Sequence, residues 1–439
     1  MKITIPPLPS SSRTNDEGHL EVAGCDVVAL ASEFGTPLII YDEEQIREHC
    51  RTYLQSFRAR TDDFEIAYAS KAFTCLAMCQ LLAEEDMSLD VASGGELYTA
   101  LKAWFPPEKI YMHGNANNTE ELARGIRSEV GHIVADSMDE ILALNRIAVK
   151  NSRRQPVMIR VTPGVEAHTH DFIKTGKQDS KFGIGIADDR AFSAVALAME
   201  QENLELVGLH MHIGSQIFDL EPYSQALAVM ADFMARCQQE LGFDCRVLDA
   251  GGGLGASYLS GDQPAGIDSF AEVVVGGTRR EMERVGLPVP HIVVEPGRSI
   301  VANAGLTVYT VETVKEIPGI RTYVAVSGGM SDNMRPMLYG ARYEALLANR
   351  ATEQDAGTYT IAGKHCESGD ILVKEAQLPE PQPGDLLVTP ATGAYGYSMS
   401  SNYNGQPRPA VLFVKKGAAR VIIRRESYED LVHLHERLE

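Results

Sequence analysis

Apolar and polar positions follow a regular rhythm from about residue 38 onward. Short β-branched or aliphatic runs alternate with longer stretches whose apolar residues recur at helical spacing. The runs are Phe64–Ala69, Met87–Val91, Ile110–His113, His132–Asp136, Val157–Val161, Val207–His212, Val247–Ala250 and His291–Glu295. Between them, TCLAMCQLLAEE, GGELYTALKAWF, SMDEILALNRIAV, FSAVALAMEQE and YSQALAVMADFMARCQQEL read as helices. Ser137 followed three residues later by Glu140 has the form of a capping box and supports one helix start. Strand–helix alternation implies parallel strands joined by right-handed crossovers. Eight such units over roughly 240 residues fit a closed (β/α)8 TIM-type barrel better than an open doubly wound sheet.

After Glu295 the rhythm changes. Leu306–Ile317, Thr322–Val326, Tyr359–Ile361, Ile371–Lys374, Leu386–Thr389, Val411–Lys415 and Val421–Arg424 read as strands broken by Gly and Pro, ending in a short helix from about Tyr428. The fold class expected is α/β: a barrel over residues 42–300, plus a C-terminal all-β domain of residues 301–439 completed by the N-terminal segment 1–41. The Leu38–Tyr41 run lies outside the eight and is expected to pair with the β domain. Residues 6–19, rich in Pro, Ser and charge, read as loose.

Composition narrows the function classes. At 439 residues, 44% hydrophobic and 23% charged, the chain is ordinary globular material. Its net charge of 40 − 60 = −20 repels nucleic acid and anionic membranes, so neither is an expected partner. The seven cysteines include no C-x-x-C pair, which points to reduced thiols rather than a disulfide framework or zinc ribbon. With no apolar signal segment at the start and no long apolar run, a cytoplasmic protein is expected.

In such a barrel, functional side chains come from the C-terminal ends of the strands. Those ends carry Lys71, Asp90, His113, Asp136, Arg160, His212, the Gly251-Gly252-Gly253 run and Glu295-Pro296-Gly297-Arg298. A glycine run after the seventh strand lets backbone N–H groups approach an anion, and Arg298 adds charge from the next loop. The run also matches a dinucleotide fingerprint, but it follows the seventh strand, and no second strand ends in an acidic residue about 20 positions on. His210 and His212 form H-x-H on one strand. A metal hydrolase barrel places that pair on the first strand, so no metal is expected, and one imidazole is better used stacking on a flat cofactor while the other serves the core. A lysine, a phosphate cradle and a strand-end carboxylate together suit pyridoxal phosphate, which needs a Schiff base, phosphate donors and an acidic partner for its ring nitrogen.

The motifs YASKAF, DVASGGEL, RVTPGVEAHTH, TGKQDSKFGIG, GLHMHIGSQ, DAGGGLG, EPGRSIVA, GGMSDNMRPMLYG, GKHCESGD and TGAYGYSMSSNYN run through nearly the whole chain. In them the sequence resembles the diaminopimelate decarboxylase family, fold type III pyridoxal-phosphate enzymes of lysine biosynthesis. The resemblance implies pyridoxal 5'-phosphate on Lys71, with His212 stacked on its ring and Glu295 on its ring nitrogen. Ser215, Gly251, Gly252, Gly253, Pro296, Gly297, Arg298 and Tyr395 are implied around the phosphate. It also implies an amino-acid substrate held by Arg298, Arg335, Tyr339 and Tyr395. A homodimer is implied, in which Cys366 (proton donor) and Glu367 (partner of the distal ammonium) reach the neighbouring site. The family's H-G-N-N-K stretch is here His113-Gly114-Asn115-Ala116-Asn117, which leaves that loop without an assigned role. The segment after strand 5, with His168 and His170, reads as a lid; Asp90 and Arg160 are read equally as structural partners in the barrel mouth. The alternatives are a related decarboxylase acting on D-ornithine or D-lysine, and a fold-type-III racemase, which has no use for the Cys366-Glu367 pair. Relative turnover and product stereochemistry separate them.

Overall fold

The structure is a computed structural model and describes residues 7–165 and 180–438. The proposed lid histidines, His168 and His170, lie outside the described residues. Eight parallel strands close on themselves: β1 Phe64–Ala69, β2 Ser88–Val91, β3 Ile110–Met112, β4 His132–Ala135, β5 Gln155–Thr162, β6 Leu204–His210, β7 Val247–Asp249 and β8 His291–Val294. The expected eight strands are all present, and β8 pairs back onto β1 with Val294 opposite Ile66. Inside the ring, Ala67, Tyr111, Val134, Met158, Val207, Val247 and Val293 form a buried cluster, so the barrel is a packed core rather than a pore.

The β half forms its own sheet. Gly305–Ile317 runs antiparallel to Arg321–Val326, Leu386–Pro390 and Leu38–Asp42, and Leu38–Asp42 also pairs in parallel with Ala410–Lys415. The early apolar run is thus a fully buried central strand of this sheet. The chain divides into two compact units: His49–Gly255 with Pro264–Gly297, and the residues through Glu48 with Ala256–Gln263 and Arg298–Glu439. The excursion Ala256–Gln263 joins the β unit because Asn303 donates to Ser257 O and Ser260 Oγ donates to Glu344, at 2.7 and 2.8 Å.

The N-terminal stretch departs from expectation. It is ordered from Pro7, with Arg13–Thr14, Leu20–Val22 and Cys25–Asp26 forming a small sheet and Val27–Phe34 a helix capped by Asp26. Its order comes from tertiary hydrogen bonds: Ser10 N–H donates to Gln45 Oε1 at 2.8 Å, and Ser11 Oγ donates to Asp42. The Ser137 start is confirmed for the helix Met138–Lys150, with Ser137 Oγ accepting from Glu140 N–H at 3.2 Å. Glu140 reaches past the cap, however, and takes the N–H of Asp136 at 2.8 Å.

At the N-terminal part of the barrel, Glu65 accepts from Ser88 Oγ at 2.7 Å and Tyr111 OH at 3.1 Å, with His291 at 3.5 Å. Burial raises this carboxyl, but the three partners outweigh it and bring it down to about 2. A depressed folded-state value stabilises above the unfolded one and is lost on acidification. The stability gap between wild type and Glu65→Gln is therefore expected to be full above about pH 4.3. It should shrink as pH falls toward 2, measured by urea unfolding across that range.

Candidate active site

All eight strands deliver a polar side chain to the same end of the barrel. Lys71 sits in a single 3₁₀ turn, Ser70–Ala72, directly after β1. Its Nζ lies 3.7 Å from Asp90 Oδ2; the lysine side chain is 44% exposed while Asp90 is buried. Asp90 Oδ1 in turn stands 3.9 Å from His113 Nε2. Burial pushes the Asp90 carboxyl up, against the pull of His113 and Lys71. Asp136 accepts the Gly183 N–H at 2.8 Å and faces Arg160 Nε at 3.7 Å, and Arg160 lies over the Phe182 ring at 4.6 Å.

Glu295, just beyond β8, is the electrostatic centre of the mouth. Its Oε1 is 2.6 Å from His113 Nε2 and its Oε2 is 3.1 Å from His210 Nε2. Burial alone would raise this acid, but the two imidazoles hold it well below the usual carboxylate range, so it is ionised. Asp249 at the end of β7 is the opposite case: burial and the Glu295 charge raise it well above that range. Its Oδ1 accepts from Gly251 N–H at 2.8 Å. His113, His210, Asp249 and Glu295 bring their ligand atoms within 4.8 Å of one another. With Glu295 paired to both rings, the set is internally compensated, and a cation would have to displace those contacts. Burial, with Lys71 and Arg160 adding positive charge, keeps His212 well below the histidine range. The ring is neutral, and its Nδ1 accepts from Gly252 N–H at 3.2 Å.

The glycine run is shaped by close approach. A Cβ on Gly252 would collide with the carbonyl oxygen of Glu295, and Gly253 has φ 118°, with a Cβ there striking Gly214 O. Tyr223 OH donates to Gly252 O at 2.8 Å and fixes the turn from below. Gly297 packs against Ala69 and Ala72, and Pro296 O accepts from Ala69 N–H at 3.0 Å, tying the end of β8 to β1. Ser215 lies half-buried in the loop after β6.

A second cluster lies wholly within the β unit. Arg298 Nη1 donates to Tyr258 OH at 2.5 Å, and its guanidinium stands 4.7 Å over the Tyr395 ring. Arg335 donates to Tyr343 OH and lies 4.4 Å over the Tyr258 ring. Both arginines are buried, and among the described residues no carboxylate pairs with Arg335. Burial raises the Tyr258 hydroxyl, but Arg298 and Arg335 prevail and bring it below its ordinary value. Two desolvated guanidinium groups ringed by tyrosines have the charge and the donors that a carboxylate requires. The tyrosine on Arg335 is Tyr343; the expected Tyr339 is half-buried at the end of the short helix Arg335–Tyr339. Cys366 is exposed, unlike the other six cysteines, and its N–H donates to Asn404 Oδ1 at 2.8 Å.

Sequence reasoning missed four members of these clusters. His210 was assigned to the core but grips Glu295. Asp249 was visible only as the residue two before the glycine run. Tyr258 carries no motif because its partner Arg298 is 40 residues away, and Tyr343, eight residues after Arg335, falls just past the GGMSDNMRPMLYG motif. The loop after β3 also has a role: His113 binds Glu295, and Asn117 donates to His113 O at 3.1 Å and to Glu140 at 3.3 Å.

Gly252→Ala is expected to weaken pyridoxal phosphate binding by roughly tenfold or more, about 1.4 kcal/mol. Gly261→Ala, with open space around its Cβ position, should leave binding unchanged; fluorescence titration reads both.

Residues 43–302 match the family model described as pyridoxal-dependent decarboxylase, pyridoxal binding domain. The diaminopimelate decarboxylase of Bacillus subtilis (strain 168) is 46% identical over 427 residues, spanning 97% of each chain. That of Staphylococcus aureus (strain COL) is 46% identical over 419 residues, 95% of this chain and 98% of the relative. Among solved structures, diaminopimelate decarboxylase from M. jannaschii in complex with L-lysine aligns with a TM-score of 0.91 at 33% identity, over 98% of this chain and 99% of that one. Near-full-length kinship and a matching cofactor-domain model converge on one conclusion: this chain belongs to the diaminopimelate decarboxylase family of pyridoxal-dependent decarboxylases.

Proposed function

We infer that the protein removes carbon dioxide from the D-configured centre of meso-2,6-diaminopimelate and yields L-lysine, the last step of lysine biosynthesis. The observation that carries the reading is a half-exposed lysine amine and a pinned, ionised carboxylate at one mouth of a barrel whose relatives bear that name. The M. jannaschii relative was solved with L-lysine, the product of this reaction.

The residues present fit pyridoxal 5'-phosphate. Lys71 offers an amine for its aldehyde, and the glycine run leaves backbone space that any Cβ would fill. Glu295 offers an anion for the ring nitrogen, and His212 a neutral ring for stacking. When bound, the cofactor supplies an electron sink for the pair left behind by the departing carboxylate. Asp90 keeps the Lys71 ammonium at the mouth. Ser215, Gly251, Gly252, Gly253, Pro296, Gly297, Arg298 and Tyr395 are assigned to hold the phosphate. Arg298 and Arg335, with Tyr339 and Tyr395, are assigned to the substrate's distal carboxylate, and Glu367 to its distal ammonium. Cys366 delivers a proton from Sγ to the carbon that lost its carboxylate.

The exposure of Cys366 supports a homodimer in which Cys366 and Glu367 serve the neighbouring subunit's site. Free thiols suit a reducing compartment, so we assign the protein to the cytoplasm. Among the described residues no helix is long and apolar enough to cross a membrane.

Two outcomes are expected. Lys71→Ala should show no borohydride-trapped cofactor by mass spectrometry and should release carbon dioxide on the order of 10³-fold more slowly or worse. Cys366→Ala should be similarly impaired, yet mixing it with Lys71→Ala and allowing subunits to exchange should restore about a quarter of wild-type activity, the statistical share of intact sites in a two-fold dimer. No recovery on mixing, with exchange verified by mass, would place Cys366 in its own subunit's site or outside the chemistry.

A further inference from the structure

The chemistry above uses Glu295 but leaves its two imidazole partners without a task. Those rings come from different strands: His113 follows β3 and His210 ends β6, while Glu295 follows β8. Each takes one carboxylate oxygen, at 2.6 and 3.1 Å. The rings meet edge to face, with centroids 4.9 Å apart at 65°. All three side chains are at most 8% exposed. A buried carboxylate needs one cation or a few donors to survive, and an apolar residue at 210 would fill the core without the cost of burying an imidazole. Two imidazoles on opposite oxygens do something more specific: His210 hydrogen-bonds one oxygen and His113 stands as an ion-pair partner 2.6 Å from the other, so turning the carboxylate would break both contacts.

We propose that His113 and His210 are positioning residues, which by gripping one oxygen each fix the plane of the Glu295 carboxylate in which it receives the cofactor's ring nitrogen. The proposal rests on the reading of Glu295 as the ring-nitrogen partner.

The consequence concerns where one proton resides. Between a buried acid and a pyridine, a low-dielectric surrounding favours the neutral arrangement, with the proton on the carboxyl and the nitrogen bare. An imidazolium at His113 reverses that preference. It stabilises the carboxylate, so the proton stays on the ring nitrogen and the ring keeps its capacity to take up electrons. Burial lowers His113, but Glu295 and Asp90 outweigh it and raise the ring from its usual value, which favours the imidazolium beside this carboxylate. Burial brings His210 down to about 4, so that ring is neutral and grips through an N–H. The other charged or titratable groups facing the trio are Asp90, Asp249, Lys71, Arg160, His212 and Tyr111, with Glu96, Asp136 and Glu140 also acting on His113. The division of labour is therefore one charged ring and one neutral ring.

The test uses holoenzyme carrying pyridoxal phosphate labelled with 15N at the ring nitrogen, whose chemical shift reports protonation directly. In wild type the resonance is expected at the protonated position across neutral pH. In His113→Asn and in His210→Asn it should move toward the unprotonated position, while kcat for carbon dioxide release falls on the order of tenfold and KM changes little. His113→Gln, whose longer side chain can still donate to Glu295, should recover part of both and also guards against a misfolded His113→Asn. Resonances in both Asn variants that match wild type, with Glu295→Gln displaced, would overturn the positioning role alone. A Glu295→Gln resonance that also matches wild type would remove the ring-nitrogen reading on which the role rests.

Discussion

A charged carboxylate can be kept in a dry barrel mouth only if it is compensated, and at Glu295 that compensation is built from strands far apart in the chain. Imidazoles from the ends of β3 and β6 meet the acid beyond β8, and the meeting requires the ring to be closed. The same closure brings β8 against β1, where Pro296 and Gly297 pack on the turn that carries Lys71. The cation and the anion of the site are thus held by one geometric condition. An open sheet with the same strands would leave both without their partners.

The acids around this centre are graded by their surroundings rather than by their type. Glu295 is ionised because two rings hold it. Asp249, a strand away, is driven the other way by burial and by the Glu295 charge. Glu96 and Glu140 each reach past a serine cap to the N–H of the residue before it, and burial lifts them to about 6 and about 7. Four carboxyl groups at one end of a barrel therefore span wide differences in proton affinity, set by where each side chain ends up.

Much of this was legible in the sequence, and what was not has a physical explanation. The eight strands announce themselves because parallel barrel strands are continuous apolar runs, and the polar residue ending each run marks the mouth. Lys71, Glu295 and the glycine run stand out because a lysine after an apolar strand and three adjacent glycines are locally costly choices. His210 does not stand out: a histidine inside an apolar strand looks like packing until its partner, 85 residues on, is placed beside it. Tyr258 was hidden for the same reason, since only the fold shows that its loop belongs with Arg298 and Arg335. Residues 6–19 read as loose because composition measures local preference, whereas the order of the described part, from Pro7, is imposed by Asp42 and Gln45.

The two units are interleaved along the chain, with crossings at residues 48/49, 255/256, 263/264 and 297/298. Leu38–Asp42 is fully buried yet has no sheet to enter until Gly305 and Ala410 have been made. During synthesis the barrel strands therefore become available before this strand's partners do, and its unsatisfied edge waits meanwhile, the kind of surface that chaperones bind and that mispairs when concentrated. Neither unit can be excised as one uninterrupted piece, so a gene fragment cut at residue 300 would strand the central strand of the second sheet on the wrong polypeptide.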